Sequence, residues 1–331
     1  MPETQPNLKK TNPGPLVSII ILNYNGAPLL AECIDSVKNT TYSPIEIIVV
    51  DNNSSDESCR VLENYPEISL IRNDQNYGYA KGNNIGVSEC SGKYAVILNN
   101  DVSVESTWLD SPVNHLESHP ETALVCCRQM SYYQRDIIDG LYHTIQPDLT
   151  FFPFGQSHHL SDDPRYLQSG FVIGANGASL IVRKNIFTEL GGLDERFFAY
   201  QEETDLNIRA FLSGWKCYYC ADAVVYHKGS MSFNEIKPMV YYFRERNRIW
   251  LLYKNFPILF IIKYLHLNIL LELRVVRVFF LKLRRPDLYF KARGDALKEL
   301  KHYKMEHRLN VKKFRCRQAE FLYFKKHLFK T

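Results

Sequence analysis

LVSIIILNYNG, residues 16–26, is the stretch whose reading decides the fold. Its first seven residues are apolar but for Ser18, with no polar alternation, the mark of a strand covered on both faces in a parallel α/β sheet. The run ends in Asn23-Tyr24-Asn25-Gly26, a turn. Pro28 then stands where the first turn of a helix tolerates it, and Leu29, Leu30, Cys33, Ile34 and Val37 recur at helical spacing.

The same pattern repeats downstream. Ile45 to Val50 reads as a second buried strand ending in Asp51-Asn52-Asn53-Ser54-Ser55-Asp56, with a helix expected to begin inside that polar cluster. A shorter strand is expected near Ile68 to Arg72, and a fourth, Tyr94 to Leu98, ends in Asn99-Asn100-Asp101. The fold class this predicts is α/β: an open, mostly parallel sheet flanked by helices. Such sheets bind ligands outside the carboxyl ends of their strands, so the three polar clusters are expected to converge on one crevice. A dinucleotide-binding dehydrogenase would carry GxGxxG after its first strand; NYNGAP stands there instead.

From Arg128 to Gly170 the pattern weakens and aromatic, His and Pro residues accumulate, which reads as an irregular substrate region. A strand is expected from Ala178 to Val182, a helix from near Glu203 to Gly214, and a last strand from Lys216 to Tyr226, followed by His227.

Composition agrees with a globular protein. Of 331 residues 45% are hydrophobic and 23% charged, which excludes disordered and collagenous classes. The eight cysteines show no repeated spacing, and Cys217 and Cys220 form a lone CxxC in an apolar setting, so a strand is expected there rather than a zinc site. Residues 1–15 lack an apolar signal core and read as a flexible leader; a cytoplasmic protein with reduced thiols is expected.

Charge divides the chain. Residues 1–240 carry 17 Lys+Arg against 29 Asp+Glu, net −12, and residues 241–331 carry 23 against 7, net +16. The basic part is also apolar, yet Lys254, Lys263, Glu272, Arg274 and Arg277 interrupt every hydrophobic run, which disfavours a spanning helix. Two readings stand: helices lying on an anionic membrane surface, or helices packed on the main body with a solvated basic face. No nucleic-acid motif accompanies the charge, so no nucleic-acid partner is expected.

VSIIILNYNG, IIVVDNNSSDES, NYGYAKGNNIG, YAVILNND, GGLDERFFAYQEETDLNIRAFLSGW and VVYHKGS occur in the order and at about the spacing seen in family-2 inverting glycosyltransferases of GT-A fold, and the chain most resembles their bacterial rhamnosyltransferase-like branch. The resemblance implies a GT-A domain over 16–240, with 241–331 as a helical, basic, membrane-peripheral region on the inner face of the plasma membrane. It also implies transfer of a sugar, rhamnose as the best single guess, from a nucleotide sugar to a glycan or polyprenyl-linked acceptor in surface polysaccharide synthesis, with a dTDP- or UDP-sugar favoured.

Residue by residue, the resemblance places Asn99-Asn100-Asp101 at the family's metal-binding motif, with Asp101 a direct ligand of Mn²⁺ or Mg²⁺, His227 completing its coordination, and Asn100 beside the donor. Asp51 would accept the imide N–H of the base, and Asn23, Tyr24 and Asn25 would line the same pocket. Asn84 would help hold the nucleotide, with helix capping as the alternative. Glu202-Glu203-Thr204-Asp205-Leu206 matches the family's ED-x-D-L signature: Glu203 as the base that deprotonates the acceptor, Glu202 in reserve, and Asp205 at the substrate unless it simply pairs with Arg209. Asn99 and Glu203 depart from the usual Asp at both places. That motivates the alternative of a catalytically silent, nucleotide-binding, membrane-peripheral scaffold.

Overall fold

The computed structural model describes residues 14–229 and 238–327, so the expected leader lies outside it except for Gly14 and Pro15. In chain order the elements begin β1 (Val17–Asn23), α1 (Ala27–Lys38), β2 (Ile45–Asp51), α2 (Ser58–Leu62), β3 (Ser69–Arg72), α3 (Gly78–Glu89), β4 (Tyr94–Asn99), β5 (Val102–Val104), α4 (Asp110–Ser118) and β6 (Thr122–Ser131). Three short strands follow, β7 (Ile138–Gly140), β8 (Tyr142–Ile145) and β9 (Phe151–Pro153), then β10 (Gly170–Val172), β11 (Gly174–Ala175), β12 (Ser179–Arg183), α5 (Lys184–Glu189), α6 (Glu202–Leu212) and β13 (Lys216–His227). The C-terminal part is helical: α7 (Pro238–Asn255), α8 (Ile258–Lys263), α9 (Leu265–Arg277) running into a π-helical turn (Val278–Lys282), α10 (Pro286–Glu299) and α11 (Lys304–His327).

The main sheet runs β10-β13-β6-β12-β4-β1-β2-β3. Strands β4, β1, β2 and β3 are parallel, β12 is antiparallel to both its neighbours, and β13 returns parallel to β6. Alternate residues of β1 feed opposite faces: Ile20 joins Val50 and Ile97 in one apolar layer, whereas Ile19 and Ile21 join Val49 and Val96 in the other. Helix α3 lies close on the sheet because it carries glycines there. A Cβ on Gly86 would meet Ile20 Cγ2 at 2.3 Å, and one on Gly82 would meet Leu22 Cδ1 at 2.4 Å.

The expected strands are present within a residue or two, and Cys217 and Cys220 are free thiols buried in β13. Two expectations are corrected. Helix α2 starts at Ser58, beyond the polar cluster, because Asp51 stays in β2 and closes a turn onto the Ser54 N–H instead of capping a helix. The 128–170 region is more ordered than expected: β8 pairs with β9 and β11 in a small second sheet, held by Tyr142 stacked on Phe154 with centroids 4.9 Å apart.

Between the two readings of the C-terminal region, packing on the main body holds for much of it. Trp250, Phe256, Phe314 and Phe321 form one buried cluster with Phe197, Ile208 and Phe211 from the α6 side.

Candidate active site

Register brings the polar clusters together. Asn23 lies opposite Asp51 across the β1–β2 pair, and Leu22 lies opposite Asn99 across β1–β4, so strands of matched length end on one edge. There Asn23 Nδ2 donates to Asp51 Oδ1 at 3.0 Å and Asn100 Nδ2 donates to Asn23 Oδ1 at 2.8 Å. Asp51 also accepts from the Ser54 hydroxyl at 2.5 Å and the Ser54 N–H at 3.0 Å. Asn25, in the left-handed region at φ 52°, accepts the Ser55 N–H through its side chain, and Tyr24 is half exposed beside it.

A second group sits where β5 and β13 meet. His227 Nε2 stands 3.2 Å from Asp101 Oδ2, and its Nδ1 stands 2.8 Å from Asp139 Oδ2. Burial alone would lower the imidazole, but bonds to the two carboxylates outweigh it and push His227 up to about 10. Among the described residues no three His, Cys, Asp or Glu side chains form a cation cage. Asp101 and Asp139 face different ring nitrogens, so they do not converge on one point. Asp101 and His227 by themselves do fit one cation, since neighbouring ligands of an octahedral ion stand about 3 Å apart.

His227 and Asp139 also line a cavity of about 440 Å³, as do Glu202 and Glu203. Four buried polar atoms on its wall lack a protein partner: Asn99 Oδ1, His143 Nδ1, Gln201 Oε1 and Glu202 Oε2. Buried polar groups are nearly always paired, so these four mark a wall whose polar atoms are not satisfied by the fold itself. Burial and the neighbouring Glu203 carboxylate raise Glu202 well above the ordinary carboxyl range. Burial raises Glu203 as well, offset in part by the N–H groups of Glu203 and Thr204 and by the Glu202 carboxyl. Both carboxyls of the pair are thus raised by burial, Glu202 the more strongly.

The loop entering α6 is strained: Phe198, Tyr200 and Gln201 have φ of 66°, 69° and 75°. Such residues cost on the order of 1–3 kcal/mol each and persist only when held. Asn247 of α7, fully buried, holds them by donating to the carbonyls of Phe197, Ala199 and Tyr200 at 3.0, 2.8 and 2.7 Å. From the other side the N–H of Tyr79 donates to Phe198 O at 2.6 Å. The Tyr79 hydroxyl donates to Gly177 O at 2.9 Å, and burial with the nearby Glu202, Glu203 and Asp101 charges raises it well above the usual phenol range.

Two expected site residues lie elsewhere. Asp205 is fully buried and accepts from Arg209 Nε at 2.6 Å, Lys254 Nζ at 2.8 Å and Asn255 Nδ2 at 2.9 Å, which leaves it no face toward the cavity. Its pairing with Arg209 is real, and the substrate role is withdrawn. Asn84 bonds both ways with the Leu193 backbone, at 2.8 and 2.9 Å, and borders a different cleft, so it ties α3 to the 191–197 loop rather than holding a nucleotide. Four residues that sequence reasoning missed stand at the site: Asp139, Tyr79, Arg244 on the cavity wall and Asn247 behind it. Only Tyr79 lay within a quoted motif, NYGYAKGNNIG.

An open sheet with polar strand ends, flanked by helices and with paired carboxylates in a cavity that Asn99 and His227 also line, is the architecture of the GT-A fold of nucleotide-sugar transferases. Residues 18–178 match Glycosyl transferase family 2, and the chain carries a domain of that family. It is 24% identical over 238 residues to an N-acetylglucosaminyl-diphospho-decaprenol L-rhamnosyltransferase of Mycobacterium tuberculosis, covering 64% of this chain and 76% of that one. It is 27% identical over 233 residues to the O-antigen biosynthesis protein RfbC of Myxococcus xanthus, covering 66% of this chain but 18% of that protein. Among solved structures, the mannosyltransferase PcManGT of Pyrobaculum calidifontis, in complex with GDP-Man and Mn²⁺, shares the fold with a TM-score of 0.56 at 18% identity, over 95% of this chain and 88% of that one.

Proposed function

We propose that the protein is an inverting glycosyltransferase that moves a sugar from a nucleoside-diphosphate sugar to a hydroxyl of a glycan or lipid-linked glycan. The observation that carries this reading is the Glu202–Glu203 pair, two neighbouring carboxyls raised by burial, on the wall of a cavity that His227 also lines. Inversion needs a base on the face opposite the leaving diphosphate. Glu203 is that base: it takes the proton of the acceptor hydroxyl as that oxygen bonds the anomeric carbon and the bond from that carbon to the diphosphate breaks. Glu202, keeping its own proton, stays neutral beside it.

Asp101 and His227 would hold a divalent cation, which supplies charge neutralisation for the departing diphosphate. Asp51 stands at the strand ends, held by Asn23 and Ser54, and in this reading it accepts the imide N–H of uracil or thymine. That role implies a UDP- or dTDP-sugar donor. The name of the mycobacterial relative supports rhamnose and a polyprenyl-linked acceptor; surface polysaccharide assembly at the inner face of the plasma membrane is part of the same proposal.

Calorimetry of the full chain with UDP-, dTDP- and GDP-sugars, each with and without Mn²⁺ or Mg²⁺, tests this. Metal-dependent binding of a uracil or thymine nucleotide sugar, with donor turnover, is expected. A folded protein that binds a donor but turns over none with either metal would be the silent scaffold instead.

A further inference from the structure

Helix α9 is turned inside out. Its one carboxylate, Glu272, points inward, accepting from Arg248 at 3.1 Å, from the Tyr289 hydroxyl at 2.7 Å and from Arg293 at 2.8 Å. Val275 and Phe279 share that inner side and pack with Leu288. The outer side carries Leu265, Ile269, Leu270 and Leu273, all about half exposed or more, and the stripe continues through Ile262 of α8 to Phe280 and Leu281 of the π-helical turn. A surface helix of a soluble domain places these groups the other way round. None of these helices is among the candidates for crossing a membrane: among the described residues no helix is long and apolar enough.

Charge names the occupant. Between Ile258 and Arg285 the chain has six Lys or Arg, namely Lys263, Arg274, Arg277, Lys282, Arg284 and Arg285, and its only acidic residue is the inward Glu272. Arg274 and Arg277 are exposed on the same outer side as the leucines. Arg285 is paired with the exposed Asp287, but the other five cations flank an apolar stripe that carries no outward carboxylate, which complements a surface of acyl chains beneath anionic headgroups.

We infer that the outer face of α8, α9 and the following π-helical turn seats in the interface of an anionic lipid bilayer. The seat is this one face, not the whole basic region, since α7 and α11 are spent on the core shared with α6. The inner side of the same helix grips Arg248, one turn along α7 from Arg244 on the cavity wall. Docking would thus put the cavity near the bilayer, although the inference about the face does not depend on glycosyl transfer.

Co-sedimentation of the full chain with vesicles of phosphatidylcholine, alone or mixed with phosphatidylglycerol, tests it. Binding to the mixed vesicles is expected, weakened on the order of tenfold or more by Leu270→Glu with Leu273→Glu, at unchanged circular dichroism. Arg274→Gln with Arg277→Gln should weaken it several-fold, with less residual salt dependence. Should the leucine pair prevent folding, Leu270→Trp carries the test: its fluorescence is quenched by bromo-acyl lipid if the face is inserted. The inference is overturned if the wild type ignores the mixed vesicles, if the glutamate variant binds equally well, if the tryptophan stays unquenched, or if the face is covered by a second copy in a dimer that those substitutions dissolve and that does not sediment.

Discussion

Asn247 Nδ2 lies 2.7 Å from the carbonyl oxygen of Tyr200, so a helix of the C-terminal region fixes the turn from which Glu202 and Glu203 project. The carboxylates of Glu202 and Glu203 are only as well placed as this clamp allows. Replacing Asn247 by Ala leaves three carbonyls without that donor and releases a strained loop. Donor turnover is expected to fall about 100-fold, the cost of a shift near 1 Å. Donor affinity, if set by the proposed Asp51 network, should change less than about threefold, because none of the hydrogen bonds that hold Asp51 comes from α7. Kinetics beside donor titration separates the two. A parallel loss of both would mean that Asn247 supports the fold only.

The glutamates should respond differently to the same substitution. Glu203→Gln removes the proposed base and is expected to cut transfer by about 10²- to 10⁴-fold with donor binding intact. In the proposed roles Glu202 is the neutral neighbour of the base, so Glu202→Gln should keep activity within about tenfold of the parent. Single-turnover rates of both variants decide it. A dead Glu202→Gln with an active Glu203→Gln would exchange their roles.

Much of this site was legible in the sequence, for a physical reason. Parallel strands of equal length end on one edge, so Asn23, Asp51 and Asn100 had to meet once β1, β2 and β4 were recognised. Asp205 was not legible. A carboxylate four residues from an arginine looks the same on a helix whether it faces a cavity or the core, and the lysine that decides the matter comes 49 residues later. Asp139 was hidden likewise, since its partner His227 is 88 residues away on a strand whose pairing no local pattern reveals. The basic region could not be settled by composition because it does two things: Trp250 and Phe314 complete the core, and Leu270 and Leu273 do not.

Asp101→Ala and His227→Ala are each expected to remove most of the Mn²⁺-dependent part of donor binding and to leave metal-free binding near its starting value. Asp139→Asn keeps the ring in place but loses the carboxylate at Nδ1, and should weaken the metal-dependent part by about 10- to 100-fold. Titrations with Mn²⁺ and after EDTA treatment measure each part. Unchanged metal dependence in Asp101→Ala would remove that residue from the cation.

The ion cluster of Asp194, Asp205, Arg209 and Lys254 makes a prediction about stability. Lys254 Nζ lies 2.6 Å from Asp194 and 2.8 Å from Asp205, and all three side chains are less than a tenth exposed. Burial opposes ionisation of both aspartates, yet Arg196 and Lys254 lower Asp194, and Lys254 and Arg209 hold Asp205 well below the ordinary carboxyl range. A carboxyl depressed in the folded state stabilises it fully above the unfolded value of about 3.9, and that stabilisation is lost as pH falls through the folded value. The parent should therefore lose stability steeply between about pH 4 and pH 2. Lys254→Met leaves buried carboxylates short of a partner and should cost about 3 kcal/mol at neutral pH, when all are charged. With the depression relieved, less stability remains to be lost in acid, so the gap between parent and variant should narrow there. Urea unfolding at pH 7 and at pH 4 and below checks both. A gap that is constant across that range would mean that Lys254 acts by packing rather than by charge.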